Sequence, residues 1–146
     1  MKKIVIASVL ALAAFASSAV EIGLVGTQKD GVDTFGVTAG QSFGKVNATA
    51  GFNRAFSSIN RQDRYSVVGG YEVAKLGQVA VSAKAGAAYL ENQASSNGYA
   101  LTVGAGASLP ITKQVSVGLD VYRQYGQERV NAFDTTYATA NVKYSF

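Results

Sequence analysis

Polar and apolar residues alternate along most of this sequence, in eight runs that each have at least ten residues. A period of two predicts β-strands that have one apolar and one polar face. The predicted strands are Val20–Lys29, Val32–Phe43, Val46–Phe56, Arg64–Ala74, Gln78–Glu91, Gly98–Leu109, Gln114–Tyr125 and Asp134–Phe146. Strands of soluble sheets usually have about five or six residues, whereas a tilted strand needs about 9–11 residues to cross a bilayer. The run lengths therefore favour strands that span a membrane.

The two faces of the runs differ in polarity, and this difference predicts the surroundings of the sheet. One face carries apolar residues such as Val46, Phe52 and Val73, and no charge interrupts these rows. The other face carries mainly Ser, Thr and Asn, with many of the 16 Gly between them. Few large side chains remain to fill a soluble core, so we expect the apolar face to point outward. An apolar exterior around a polar interior is stable only in hydrocarbon, which predicts a membrane barrel.

The first residues predict export from the cytoplasm. A positively charged start is followed by an apolar run, Ile4–Phe15, and then by small residues up to Ala19. This order is typical of a cleaved signal peptide, so we expect a signal at residues 1–19 and one barrel domain at residues 20–146. The uncharged stretch Ile4–Ala19 has 16 residues, fewer than the roughly 20 that a spanning helix needs. The sequence contains no Cys, which excludes disulfides and a lipid anchor on Cys.

The last run ends the chain on an aromatic residue. From Thr136 onward, every second residue falls on the apolar face, and the row ends with Tyr144 and Phe146. Here the chain resembles bacterial outer-membrane β-barrel proteins, whose closing strand typically ends in Phe after alternating apolar residues. The resemblance implies that Tyr144 and Phe146 belong to a signal that the barrel-assembly machinery recognises.

As a whole, residues 20–146 resemble the small eight-stranded outer-membrane barrels of the OmpX and Ail type and the barrel domain of OmpA. The resemblance rests on the signal peptide, the alternation and the terminal Tyr144-Ser145-Phe146. It implies an all-β fold, an eight-stranded antiparallel up-and-down transmembrane barrel, in the outer membrane of a Gram-negative bacterium. Known members act as structural barrels, adhesins or serum-resistance factors that work through their extracellular loops. The predicted loops of this chain are short, so we expect a structural role first and contact with a host ligand or lipopolysaccharide second.

Five ionisable residues are predicted to face the barrel interior, because they share the parity of the polar face. They are Glu21, Glu72, Lys84, Asp120 and Lys143. An eight-stranded barrel is only wide enough for side chains to fill it, so these charges are expected to meet one another and to leave no wide pore. We interpret them as a structural network of salt bridges and hydrogen bonds, since buried charges must be paired. A gated path for protons or ions is the alternative.

Aromatic residues on the outward face are predicted to form two belts. The belt at the loop ends comprises Phe56, Tyr65, Tyr89, Tyr99 and Tyr125, and the belt at the turn ends comprises Phe43, Tyr71, Tyr144 and Phe146. Amphipathic rings gather at the two interfaces between a membrane and water, which gives this pattern a physical cause.

The five Arg of the chain lie toward the loop ends of the runs. They are Arg54, Arg61, Arg64, Arg123 and Arg129. Arg54 and Arg123 continue outward rows just past the apolar residues, at the height where lipid headgroups lie. Because a guanidinium binds phosphate through paired donors, we predict that these two contact lipopolysaccharide phosphate. The other three are predicted to pair with nearby acidic residues of the loops.

Several functions are disfavoured by residue types that the chain lacks. With no His and no Cys, it has no base of the kind that activates Ser and no common soft metal ligands, so we expect no enzymatic activity, cofactor or metal. The net charge of +4 falls when two Lys leave with the signal, and a nucleic-acid partner is not indicated. Two alternatives stay open: a lipid-A-modifying outer-membrane enzyme with an atypical site, and a soluble periplasmic β-barrel that carries a ligand.

Overall fold

A computed structural model describes residues 20–29, 32–55, 62–92, 97–126 and 135–146. These residues form eight β-strands, and no helix among them is long and apolar enough to cross a membrane. The strands are β1 (Val20–Lys29), β2 (Val32–Phe43), β3 (Val46–Ala55), β4 (Gln62–Leu76), β5 (Val79–Asn92), β6 (Gly98–Pro110), β7 (Val115–Gly126) and β8 (Thr135–Ser145). The predicted signal peptide at residues 1–19 lies outside the described residues.

Each strand pairs with its neighbours in the chain, and β1 also pairs with β8, so that the sheet closes into a barrel. All eight pairings are antiparallel. The closure runs to the end of the chain, because the Phe146 amide donates to the Val20 carbonyl at 3.0 Å. A closed sheet has no unpaired edge, which is the condition for β-structure to cross a membrane. The predicted eight-stranded up-and-down barrel is therefore confirmed.

Short turns join the strands at one end of the barrel. Gly44 and Gly77 occupy two of these turns with φ angles of 62° and 63°, a conformation that Gly adopts without a steric penalty. In the third turn, the Thr112 side-chain oxygen accepts a hydrogen bond from the Val115 amide at 2.9 Å. These hairpins fix the register of β2 with β3, β4 with β5 and β6 with β7.

The outer surface of the barrel is apolar and exposed. Leu24 on β1 and Leu119 on β7 are 68% and 67% exposed, which are extreme values for large aliphatic side chains in contact with water. Residues of opposite parity, such as Thr102 and Gln124, are almost completely buried, whereas Gln41 is buried although it shares the outward parity of Ala39. The predicted sidedness is confirmed, and Ala50, which is small and buried on the outward row, is the one predicted outward position that its neighbours cover.

The predicted boundaries of β4 were wrong at both ends. The strand begins at Gln62 rather than Arg64, and it continues to Leu76 rather than Ala74. A bulge separates Glu72, which pairs with Ser82, from Ala74, which pairs with Val81. A bulge adds one residue to one strand and reverses its parity. The outward row therefore passes to Ala74 and Leu76 beyond the bulge, an offset that strict alternation does not predict.

Candidate functional site

One ion pair in the barrel interior joins β1 to β8. The Lys143 Nζ lies 3.5 Å from Glu21 Oε2, and the Ser42 hydroxyl of β2 donates to Glu21 Oε1 at 3.0 Å. Gly23 of β1 pairs directly with Lys143 of β8. Because Gly23 has no side chain, it leaves room for the side chain of Lys143. Both charged side chains are largely buried, with 18% and 19% exposure. This pair links the first and last strands at the seam of the barrel.

A second and tighter ion pair spans three strands. The Lys84 Nζ on β5 lies 2.5 Å from Asp120 Oδ1 on β7, and Asn141 on β8 donates to the other carboxylate oxygen at 3.1 Å. The intervening strand, β6, carries Gly106 at this height. A Cβ on Gly106 would collide with Asp120 Oδ1 and would lie 3.2 Å from Lys84 Cε. The missing side chain of β6 therefore gives the two charged groups the space in which they meet.

Two stacked tyrosines lie beside this pair. The rings of Tyr122 and Tyr137 are stacked with centroids 5.3 Å apart. The Arg64 guanidinium lies 4.4 Å from the Tyr137 centroid and donates to the Tyr137 hydroxyl, and Lys84 Nζ lies 6.0 Å from the Tyr122 centroid. Cations over the faces of aromatic rings are attracted by the ring quadrupole. The stack therefore stabilises positive charge on both sides within the barrel.

Arg64 and Tyr122 were not among the residues predicted for the interior, whereas Tyr137 shares the parity of Lys143, which was predicted to face inward. Arg64 was assigned to a loop acid, and the structure places it inside the barrel, over Tyr137, instead. The signal was present in the sequence, because Arg64 shares its parity with Ser66, and Tyr122 shares its parity with Asp120. Arg64 was assigned to the loop because it stood at the end of a predicted run, although its parity is inward. The predicted end of that run was itself wrong.

Glu72 is not joined to the other predicted interior charges. It lies near the bulge of β4, and its backbone amide donates to the Lys45 carbonyl at 2.8 Å. Among the residues that the structure describes, no ion pair involves the Glu72 side chain. The five charges predicted as one network therefore form two separate pairs, with Glu72 apart near the turn end.

Two small cavities lie between interior side chains of the described strands. A cavity of about 60 Å³ is lined by residues that include Lys84, Asp120, Tyr122 and Arg64. A second cavity, of about 20 Å³, lies toward the loop end between Arg64, Gln62 and Gln124. One water molecule occupies about 10–15 Å³ on such a scale. The larger cavity can therefore hold a few water molecules, and the smaller cavity can hold about one.

The outer rim carries the two cations that were predicted to bind phosphate, and their surroundings differ. Arg54 donates to both carboxylate oxygens of Asp63, at 2.8 and 2.9 Å, so its paired donors already have an anionic partner. Arg123 donates to the Thr136 hydroxyl at 3.1 Å and lies 5.8 Å from the Tyr125 ring centroid. No carboxylate of the described strands forms a salt bridge with Arg123. Arg61 and Arg129 lie outside the described residues.

The outward aromatic residues pack in pairs near the two ends of the strands. Tyr65 packs on Phe52 at 5.1 Å and Tyr89 on Tyr99 at 4.9 Å, measured between ring centroids. At the turn ends, Phe43, Tyr71, Tyr144 and Phe146 are all exposed. The two predicted belts are present on the described strands, and Phe56, which was assigned to the loop belt, lies outside them.

Metal-binding and catalytic groups are few. No cluster of three or more His, Cys, Asp or Glu occurs in the described ranges. The interior carboxylates of Glu21 and Asp120 each accept a hydrogen bond from a neutral side chain and form a salt bridge with a Lys. The described interior side chains form ion pairs and fill the barrel.

Comparison with solved structures relates the barrel to proteins of bacterial outer membranes. The N-terminal β-barrel domain of Pseudomonas aeruginosa OprF has a TM-score of 0.74 and 18% identity, and the match covers 88% of this chain and 98% of that domain. Yersinia pestis Ail in a phospholipid nanodisc has a TM-score of 0.56 and 15% identity, with 89% and 100% covered. The outer membrane enzyme PagL has a TM-score of 0.55 and 13% identity, with 86% and 98% covered.

The sequence comparisons add no closer relative. No protein-family model matches this sequence, and no curated protein matches it significantly. At such low identities the structural likeness establishes the fold, which is that of small eight-stranded outer-membrane barrels, and not an activity.

Proposed function

We propose that this chain is an integral barrel of a Gram-negative outer membrane, with a structural role and without enzymatic activity. The observation that supports it most is the contrast between an exposed apolar exterior, represented by Leu24 and Leu119, and an interior of paired charges. Such a molecule is stable in hydrocarbon and would aggregate in water. Export through a signal peptide at residues 1–19 and removal of that signal belong to the same proposal.

The interior supports a barrel without a wide pore. Lys84 and Asp120 cross the interior, and the stacked rings of Tyr122 and Tyr137 fill the space beside them. The remaining cavities, about 60 and 20 Å³, are far too small for a water-filled channel. This structural reading is favoured over a gated ion path, since the tightest pair has both partners nearly inaccessible.

At the outer rim we propose a contact between Arg123 and lipopolysaccharide phosphate. Arg123 is an outward-facing cation on the strand that carries Leu119 and Val121, and Tyr125 beside it is exposed as well. A charge next to an apolar band must extend to the headgroup layer, where phosphate is the abundant anion. Arg54 makes a smaller contribution, since its Nε and Nη2 already donate to the Asp63 carboxylate.

At the end of the chain we propose that Tyr144 and Phe146 are read by the barrel-assembly machinery. Their rings pack edge to face at 5.0 Å, and Phe146 is 73% exposed beside the seam. Replacement of Phe146 by Asp should lower the amount of barrel in the outer membrane, whereas Phe146→Tyr should preserve it. Normal levels of the Asp variant would contradict this assignment.

Two measurements test the proposed function. A membrane barrel should fractionate with outer membranes and migrate differently on a gel before and after boiling, whereas a soluble periplasmic carrier should be released with the periplasm. Mass spectrometry of lipid A from a deletion strain should match that of the parent strain. A changed lipid A that reverts on complementation would favour the alternative, a lipid-A-modifying enzyme with an atypical site.

A further inference from the structure

Arg64 is a half-buried cation near the loop end of the barrel. It faces inward from β4 and pairs across the sheet with Asn53 and Leu90, which are 8% and 1% exposed. One of its terminal nitrogens donates to the Tyr137 hydroxyl, and the guanidinium covers the Tyr137 ring. Its Nε is buried and has no hydrogen-bond partner. The side chain is therefore held in place, and one of its donors is left without an acceptor.

No interior carboxylate of the described strands is available to neutralise Arg64. Asp120 uses one oxygen for Lys84 and the other for Asn141. Glu21 is engaged by Lys143 and Ser42 in the same way. Glu72 lies eight residues further along β4, a separation of roughly 26 Å in an extended strand.

An unneutralised guanidinium inside a protein is unfavourable, because Arg does not lose its proton and burial removes it from water. The face of the Tyr137 ring compensates only part of this cost. The excess positive charge and the unused Nε together call for an anion or an acceptor at this position.

Arg64 lines both interior cavities. The smaller one, about 20 Å³, is otherwise bordered by neutral groups, among them Thr34, Gln62 and Gln124. A water-sized particle needs about 10–15 Å³ of such space, so a single atom or ion of that size fits, whereas sulfate and phosphate do not. The positive charge of Arg64 disfavours a cation there.

We propose that a monatomic anion of halide size, chloride in ordinary buffers, binds beside Arg64 in this cavity. The ion accepts the hydrogen bond from Nε and neutralises the guanidinium. Amide and hydroxyl groups of the cavity wall complete its surroundings. The bound ion thereby fixes the Arg64 and Tyr137 stack across the loop end of the barrel.

The first test measures stability against halide concentration. The full barrel, purified in detergent from outer membranes, is unfolded in urea with sodium chloride or sodium sulfate at matched ionic strength. A ligand that binds only the folded state raises stability with the logarithm of its concentration, whereas sulfate stabilises folded proteins generally by exclusion from their surface. The difference in urea midpoint between the unaltered barrel and Arg64→Gln should therefore grow with chloride and stay constant with sulfate. Lys113→Gln, which removes an exposed cation from the turn end, should respond to chloride as the unaltered barrel does. A difference between the unaltered barrel and Arg64→Gln that does not change with chloride would overturn the proposal.

The second test does not depend on the folding of a variant. Crystals of the unaltered barrel are soaked in sodium bromide, and anomalous scattering locates the bromide. A peak within hydrogen-bonding distance of Arg64 Nε supports the site. A water molecule, or a carboxylate from the chain, in contact with Nε in a crystal without a bromide peak there would refute it.

Discussion

Two ion pairs of this barrel have the same chemistry and opposite surroundings. Lys84 and Asp120 meet in the interior, where their side chains are 12% and 7% exposed. Arg54 and Asp63 meet at the rim, where the Arg54 side chain is 37% exposed and the Asp63 side chain is 10% exposed. In the first pair neither charge has an alternative partner in water. The comparison indicates that the burial of an ion pair, rather than the distance between its charged atoms, determines how much the pair stabilises the fold.

The two ion pairs also differ in how many other residues position them. The interior pair depends on Gly106, which clears space on β6, and on Asn141, which occupies the remaining carboxylate oxygen. The rim pair needs only direct cross-strand pairing of its two members. Interior pairing is thus built into four strands, while the rim pair involves two.

The largest effect is expected when one partner of the interior pair is removed. Lys84→Met leaves Asp120 buried without its cation, which should lower the free energy of unfolding by about 3–5 kcal/mol. Adding Asp120→Asn removes the stranded charge and keeps an acceptor for Asn141, so the double variant should recover part of the loss. Urea unfolding in detergent measures both. Losses that add strictly would show that the two charges do not depend on each other.

The next largest loss of stability is expected when the space at Gly106 on β6 is filled. Gly106→Ala places a methyl group where Asp120 Oδ1 lies, and overpacking of this kind typically costs about 1–3 kcal/mol. Gly69→Ala is the matched control, because a Cβ there meets nothing closer than 3.8 Å, on the outward side of the sheet. Urea unfolding should therefore separate the two variants. Equal stability of both would mean that the interior pair does not need the space at Gly106.

Much of the fold follows from sequence because two constraints act together on every strand. Alternation fixes the faces, and the thickness of a bilayer fixes the length. The same parity put Lys84 and Asp120 on one face. It could not show that they meet, because contact across β6 depends on the stagger of the strands and on the absence of a side chain at Gly106.

Errors at the site arose where strand ends and bulges override alternation. The start of β4 was placed at Arg64, which left Asp63 in a loop, so lipopolysaccharide phosphate was favoured over Asp63 as the partner of Arg54. For the same reason Arg64 was assigned to the rim although its parity is inward. Glu72 was grouped with the other interior charges because it shares their parity. Parity does not give the height of a residue along the barrel, and the bulge beside Glu72 shifts the register there.

A smaller effect is expected at the rim, in binding rather than in folding. If Arg123 is the cation that reaches headgroup phosphate, Arg123→Gln should weaken binding of lipopolysaccharide to the refolded barrel several-fold at low salt. Arg54→Gln should weaken it less, because Asp63 already neutralises Arg54. Binding is measured by titration of lipopolysaccharide at low and moderate salt, since screening reduces such contacts. Equal losses in the two variants would remove the distinction between the cations.

The smallest effect concerns the stability of the rim pair itself. Arg54→Gln and Asp63→Asn each break a two-bond contact of good geometry, yet a pair with one exposed partner contributes less than a pair with two buried partners, because water and salt screen the Arg54 charge. We expect the urea midpoint of Arg54→Gln to stay close to that of the unaltered barrel and to be insensitive to added salt. The same Asp63→Asn change should release the Arg54 guanidinium and increase lipopolysaccharide binding at low salt. A midpoint that falls as far as in Lys84→Met would show that the rim pair supports the fold as strongly as the interior pair, and the contrast between the two regions would be wrong.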